Sequence, residues 1–324
     1  AGRDYNTVDM SRQRMMNEYM LPYKAACEQG AGSYMASFNE FEGIPATANK
    51  YLLDDLLRKQ WGFKGFVVSD YTGIQEMVNH GIGDLKAVSA RALDAGIDMD
   101  MVSEGFFTTL KQSLEEGKIT QTQIDKACRR ILEAKYKLGL FSDPYRFCNE
   151  DRASKELFSL QNRTIARETA DECQVLLKNQ NNLLPLKKSG TIAVIGPLGD
   201  AASDMPGCWA LTGKGSESVS LYQGIKAAIG SNGTVRYAKG SDLVADSLLE
   251  TKLNGMMGFV IPGMQVKKIH DRKPEELLKE ALDIAAGSDV IIAALGENAN
   301  MNGEGASRSI PDIPEPQKEL LKSL

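Results

Sequence analysis

The chain has 324 residues, enough for two domains with a core each. Hydrophobic residues make up 42% and charged residues 25%, as in ordinary globular proteins, and a net charge of −5 without a basic run offers nucleic acid nothing to hold. No apolar stretch reaches the ~18 residues that a membrane span needs. The opening AGRDYNTVDM has neither the charged nor the apolar region of a signal peptide.

Along the first half, SYMASF, GFVVSD and AGIDMDM read as buried strands, each with a glycine just before its apolar run. TANKYLLDDLLRKQW is helical, with Leu52, Leu53, Leu56 and Leu57 on one face and Thr47 as the expected N-cap. TQTQIDKACRRILEAKYKLGL sets Ile124, Ala127, Ile131, Ala134 and Leu138 at helical spacing, and Gly139 with Asp143-Pro144 ends it. Strand–helix alternation of this kind means a parallel sheet with covering helices. Three units do not separate a closed barrel from an open doubly wound sheet.

From Asp143 to about Phe158 the composition turns polar and irregular, which marks a domain boundary. A helix is expected from about Gln161 to Glu172, followed by β-like runs in QVLLKN, TIAVIG and TVRYA. LYQGIKAAIG and KPEELLKEALDIAAG read as helices, DVIIAALG as the last strand, and EPQKELLKSL as helix again.

The five cysteines (Cys27, Cys128, Cys148, Cys173, Cys208) form no CxxC pair and read as free thiols. With only His80 and His270, a histidine-rich zinc site is disfavoured, and neither histidine has a GxSxG partner. Carboxylate chemistry remains. Asp70 follows GFVV at the carboxyl end of a buried strand, where α/β sites are built, although an aspartate there also caps helices. Asp98 and Asp100, two apart, are expected on one side of a strand, as structural carboxylates or caps. Glu297 and Glu304 occupy GENANMNGEGASR after the last strand, as site groups or solvated surface groups, with Arg308 near enough to pair with one. IAVIGPLGD lacks the GxGxxG spacing of a dinucleotide loop. Tyr71 and Trp209 can stack on a sugar ring, or be half-buried aromatics only.

Taken together, GRDYNTVDMS, SFNEFEGIPATANKYLLDDLLRKQWGFKGFVVSDY, ALDAGIDMDM, RRILEAKYKLGLFSDPYR, LLKNQNNLLPL, IAVIGPLGD and the GE…GEGASRS loop resemble the family 3 glycoside hydrolases, specifically the multidomain β-glucosidases of bacterial type. The resemblance implies an α/β chain: the closing part of a (β/α)8 barrel over 1–142, a linker over 143–160 and an incomplete α/β sandwich over 161–324. Asp70 would be the nucleophile and Glu304 the general acid/base, with Glu297 as runner-up. Met35, Tyr71, Trp209 and Arg308 would line the substrate, an oligosaccharide or β-glucoside. Tyr71 stands where many members have tryptophan. No metal or organic cofactor is implied, and neither nucleic acid nor membrane is an expected partner.

Members of that family carry several barrel strands ahead of GRDYN, ending in a Lys-His pair that holds sugar hydroxyls, and their sandwich continues further. The missing N- and C-terminal portions of the same polypeptide are therefore expected partners of this chain. The activity implied is release of terminal β-linked glucose with retention, in a periplasmic or secreted setting. The alternatives are β-xylosidase or β-N-acetylglucosaminidase activity, or a truncated carbohydrate-binding remnant.

Overall fold

The computed structural model describes residues 7–210, 215–253, 272–303, 308 and 310–324. The chain divides into two compact units, Ala1–Gln174 and Val175–Leu324.

In the first unit, β1 (Thr7–Val8), β3 (Glu40–Phe41) and β4 (Ile44–Pro45) make a small sheet in the order β1-β3-β4. β2 (Ser33–Ala36) pairs in parallel with β5 (Phe66–Ser69), from Ser33 opposite Phe66 to Ala36 opposite Ser69. The third expected strand, AGIDMDM, is reduced to a single parallel bridge between Val68 and Met99. Asp98 and Met99 both donate to Val67 O, but beyond them the partners change. Met101 N–H goes to the Ser69 hydroxyl at 2.8 Å, and Met101 O accepts from Thr72 N–H at 2.9 Å. Side-chain and turn hydrogen bonds thus replace the ladder.

The leucine-rich segment forms the helix Tyr51–Gln60, wound with wide π-type turns, and buries Leu53, Leu56 and Leu57 while Leu52 is partly covered. Thr47 does not cap it. Thr47 is buried in the preceding turn, and Asn49 caps instead, its Oδ1 accepting Leu52 N–H at 3.2 Å. Leu53 and Leu57, with Leu52 packed against them, meet Val67, Ile74, Val88, Ala92 and Ile97 in one core, where each large aliphatic side chain contributes about 1.5–3 kcal/mol. The helix Gln121–Lys137 starts from a Thr120/Gln123 capping box and packs Ala127 with Ile124 against Leu93, Leu110 and Ile119. A further helix, Leu160–Glu172, belongs to the same unit.

In the second unit, QVLLKN forms no strand, and its Val175, Leu176 and Leu177 are exposed. β6 (Gly190–Ile195) is the centre of a parallel sheet ordered β7-β6-β8, with β7 at Gly233–Ala238 and β8 at Val290–Ala293. Both faces of β6 are buried, which explains its unbroken apolar run. Ala193 and Ile195 face Ala281 of the helix Pro274–Ala286 and Leu320 of the helix Glu315–Ser323. Ile192 and Val194 face Ile229 of the helix Leu221–Ile229. The glycine loop after β6 answers to packing. A Cβ on Gly196, whose φ is +132°, would stand 2.2 Å from Ala294 O.

Candidate active site

Buried Val67 and Ser69 anchor β5 in the core, and Asp70 follows at its carboxyl end, half-buried. The chain turns at once. Gly73 N–H donates to Asp70 O at 3.0 Å, and Thr72 takes a left-handed conformation with φ 56°, a strained choice for a β-branched residue. Thr72 Oγ1 lies 2.6 Å from Tyr71 O and 3.0 Å from Glu76 Oε1, and its single proton, shared between these two acceptors, holds the turn closed.

The Asp70 carboxylate is not a cap of the helix that follows. Its one side-chain hydrogen bond among the described residues is to Oδ1, from Tyr71 N–H at 2.7 Å. An N-cap would instead accept from the second or third N–H of the helix. The carboxylate is oriented by the main chain and keeps acceptor capacity for a further group.

Met35 lies opposite Val68 in the β2–β5 register, and Met99 bridges Val68 from the other side, so the three form one row just below Asp70. Met35 and Met99 are exposed, as is Tyr71. Of the predicted residues, this unit therefore brings Met35, Asp70 and Tyr71 to one strand end. Ser69 and Met99 join them without having been singled out. The signal for Ser69 is its place between a buried strand and the aspartate, where a small hydroxyl can serve two chains. It accepts from Met101 N–H and donates to Asp70 O at 3.0 Å.

Asp98 and Asp100 have structural partners. Asp98, with a side chain only 1% exposed, accepts from Arg58 at 2.5 Å, Arg130 at 2.7 Å and Val67 N–H at 2.8 Å. Burial pushes the Arg58 guanidinium below its ordinary value, and the charge of Asp98 works against that shift. Asp100 Oδ2 accepts Phe106 N–H at 3.1 Å at the start of the helix Gly105–Glu115.

In the second unit, Glu297 comes directly after Gly296 at the end of the β8 segment. Arg308 donates one guanidinium N–H to Glu297 Oε1 and another to Asp312 O at 2.5 Å, so Arg308 ties the two ends of the loop. Glu304 lies outside the described residues. The loop base is firmly held. Asn298, 2% exposed, donates to Leu253 O at 2.9 Å, and Ala299 N–H donates to Asp204 Oδ1 at 3.2 Å. Trp209 is 67% exposed and adjoins this loop, because a Cβ built on Gly303 would stand 3.9 Å from Trp209 Nε1 and 2.8 Å from Cys208 Sγ. Glu297, Arg308 and Trp209 thus gather in this unit. Gln317 also belongs to the loop base, and sequence reasoning missed it.

The α/β layers and the strand-end carboxylate fit a family of glycosidases, and the chain belongs to it. Residues 1–134 match the glycosyl hydrolase family 3 N terminal domain, and residues 174–324 match the glycosyl hydrolase family 3 C-terminal domain. Among its relatives, the periplasmic beta-glucosidase of Salmonella typhimurium is 41% identical over 100% of this chain and 42% of its own length. A beta-xylosidase of Formosa agariphila is 32% identical over 98% of this chain and 42% of its own length. The beta-glucosidase of Listeria innocua, solved in complex with glucose, superposes with a TM-score of 0.82 at 31% identity, over 99% of this chain and 40% of that one. The chain therefore spans about 42% of the length of these curated relatives.

Proposed function

We propose that the chain carries the catalytic groups of a retaining β-glycosidase that releases terminal β-linked glucose by double displacement. The observation that carries this reading is Asp70, a carboxylate at a parallel strand end, oriented by a backbone N–H and not used as a helix cap. Asp70 attacks the anomeric carbon while a second carboxyl group, about 5–5.5 Å away in such enzymes, protonates the leaving oxygen. Glu304 is our assignment for that acid, with Glu297 as runner-up. Water then hydrolyses the glycosyl-enzyme with the same group acting as base. Met35, Tyr71, Trp209 and Arg308 are assigned to the substrate, and the exposure of Tyr71 and Trp209 suits a stacking role.

The barrel-and-sandwich architecture, the limits 1–142, 143–160 and 161–324, and a periplasmic or secreted setting belong to the same proposal. So does the need for further portions of the polypeptide, which the 42% coverage of the Salmonella relative supports. β-Xyloside hydrolysis is the second reading, favoured by the Formosa relative.

The test is Asp70→Gly and Asp70→Asn in a polypeptide extended to the length of the relatives, assayed on aryl β-glucosides and β-xylosides. Both variants should lose several orders of magnitude in kcat, and azide or formate should partly restore the glycine variant. A variant that keeps more than about a tenth of the rate would overturn the assignment, since a nucleophile supplies far more than ~1.4 kcal/mol.

A further inference from the structure

β8 leaves its sheet one residue at a time. Ala294 N–H still reaches Ile195 O at 2.7 Å, but among the described residues Gly296 has no strand beside it. The carboxamide of Gln317 takes that place. Gln317 Oε1 accepts Gly296 N–H at 2.7 Å, and its Nε2 donates to Gly296 O at 2.9 Å and to Leu243 O at 3.0 Å. The side chain is 0% exposed. A primary amide stays in such a place only when its polar atoms are met, and here both the oxygen and the nitrogen are used. Its own backbone is immobilised, because Leu320, three residues further along the same helix, is 1% exposed in the core with Ala193, Ile195 and Ala281.

We infer that Gln317 is a positioning residue, which fixes the direction in which the glutamate-bearing loop departs from β8. The inference rests on the reading of that loop as the source of the acid/base. Glu297 is held between two buried amides: Gln317, which grips Gly296, and Asn298, which grips Leu253 O. A carboxyl group that must deliver a proton along one line to a glycosidic oxygen needs a loop root that does not swing.

Two readouts test this. The first is amide hydrogen exchange of Gly296–Asn298. In the wild-type chain these amides should exchange far more slowly than exposed loop amides. In Gln317→Glu, which sets an oxygen against the carbonyls of Gly296 and Leu243, and in the apolar Gln317→Met, they should exchange at least about tenfold faster. Amides of β6 and of the helix Pro274–Ala286 should be unchanged. Fast exchange at Gly296 in the wild type, or unchanged exchange in both variants, overturns the inference, and the wild-type result stands even if a variant fails to fold.

The second readout is the dependence on the leaving group, in the polypeptide extended to the length of the relatives. The kcat/KM for an alkyl β-glucoside should fall about tenfold more than that for a dinitrophenyl β-glucoside, whose leaving group departs without a proton. Equal losses on both substrates would leave Gln317 a core residue only and overturn the positioning role. If the wild type hydrolyses neither glycoside, the proposed function falls, and the exchange data alone decide whether Gln317 holds the loop.

Discussion

Arg58 Nη2 lies 2.5 Å from Asp98 Oδ2, and both side chains are almost wholly buried. The same carboxylate holds Arg130. It therefore links the helix Tyr51–Gln60 and the helix Gln121–Lys137 to the strip beside β5. Breaking a buried pair leaves an uncompensated charge, which costs about 3–5 kcal/mol. Asp98→Ala should lose that much in urea unfolding of the chain, whereas Asp100→Ala, which removes a helix-start acceptor, should lose only about 1 kcal/mol. A smaller effect at Asp98 than at Asp100 would contradict the assignment.

Glu116 is held down to about 2 by its hydrogen bonds to Lys86 and then Lys118. A carboxyl group whose folded pKa is depressed stabilises the fold above its unfolded value of about 4.3 and loses that contribution as pH falls toward 2. Glu116→Gln should therefore melt below the wild type at pH 7, with the gap closing between about pH 4.5 and pH 2. A gap that persists at the acid end would mean the effect is not ionic.

Gly196→Ala meets the carbonyl of Ala294 at 2.2 Å and requires a side chain at φ +132°. Chemical unfolding should show a loss of about 2 kcal/mol or more. Full stability in this variant would mean that β6 and β8 separate more readily than their register implies.

Glu304 and Glu297 are separated by leaving-group dependence. An acid catalyst matters most for poor leaving groups. Glu304→Ala should cripple hydrolysis of alkyl glucosides and disaccharides and spare activated aryl glycosides. Glu297→Ala, which leaves Arg308 its bond to Asp312 O, should show no such dependence. Exchanged behaviours would make Glu297 the acid.

Much of this was legible in the chain. Leu53, Leu56 and Leu57 at helical spacing point to burial on one face and are buried, and TIAVIG, read as a β-like run, supplies the central strand of its sheet. AGIDMDM misled because strand patterning says nothing of where hydrogen bonds go once a serine hydroxyl competes for them. QVLLKN misled because an apolar run forms a strand only beside a partner, and none pairs with it among the described residues. Asp70 was singled out by position, but its freedom from helix capping needed coordinates. Gln317 was invisible, because a glutamine in EPQKELL has the spelling of a solvated helix face.

The hold on Asp70 has an evolutionary side. Its orienting donor is the main-chain N–H of residue 71, and every amino acid but proline supplies one. On the assignment proposed above, the tyrosine ring can therefore be exchanged for another wall against the substrate while the carboxylate keeps its aim. With Asp70 and Tyr71 in these proposed roles, substrate preference and nucleophile alignment are set by different atoms of one residue, so selection can retune the first without endangering the second.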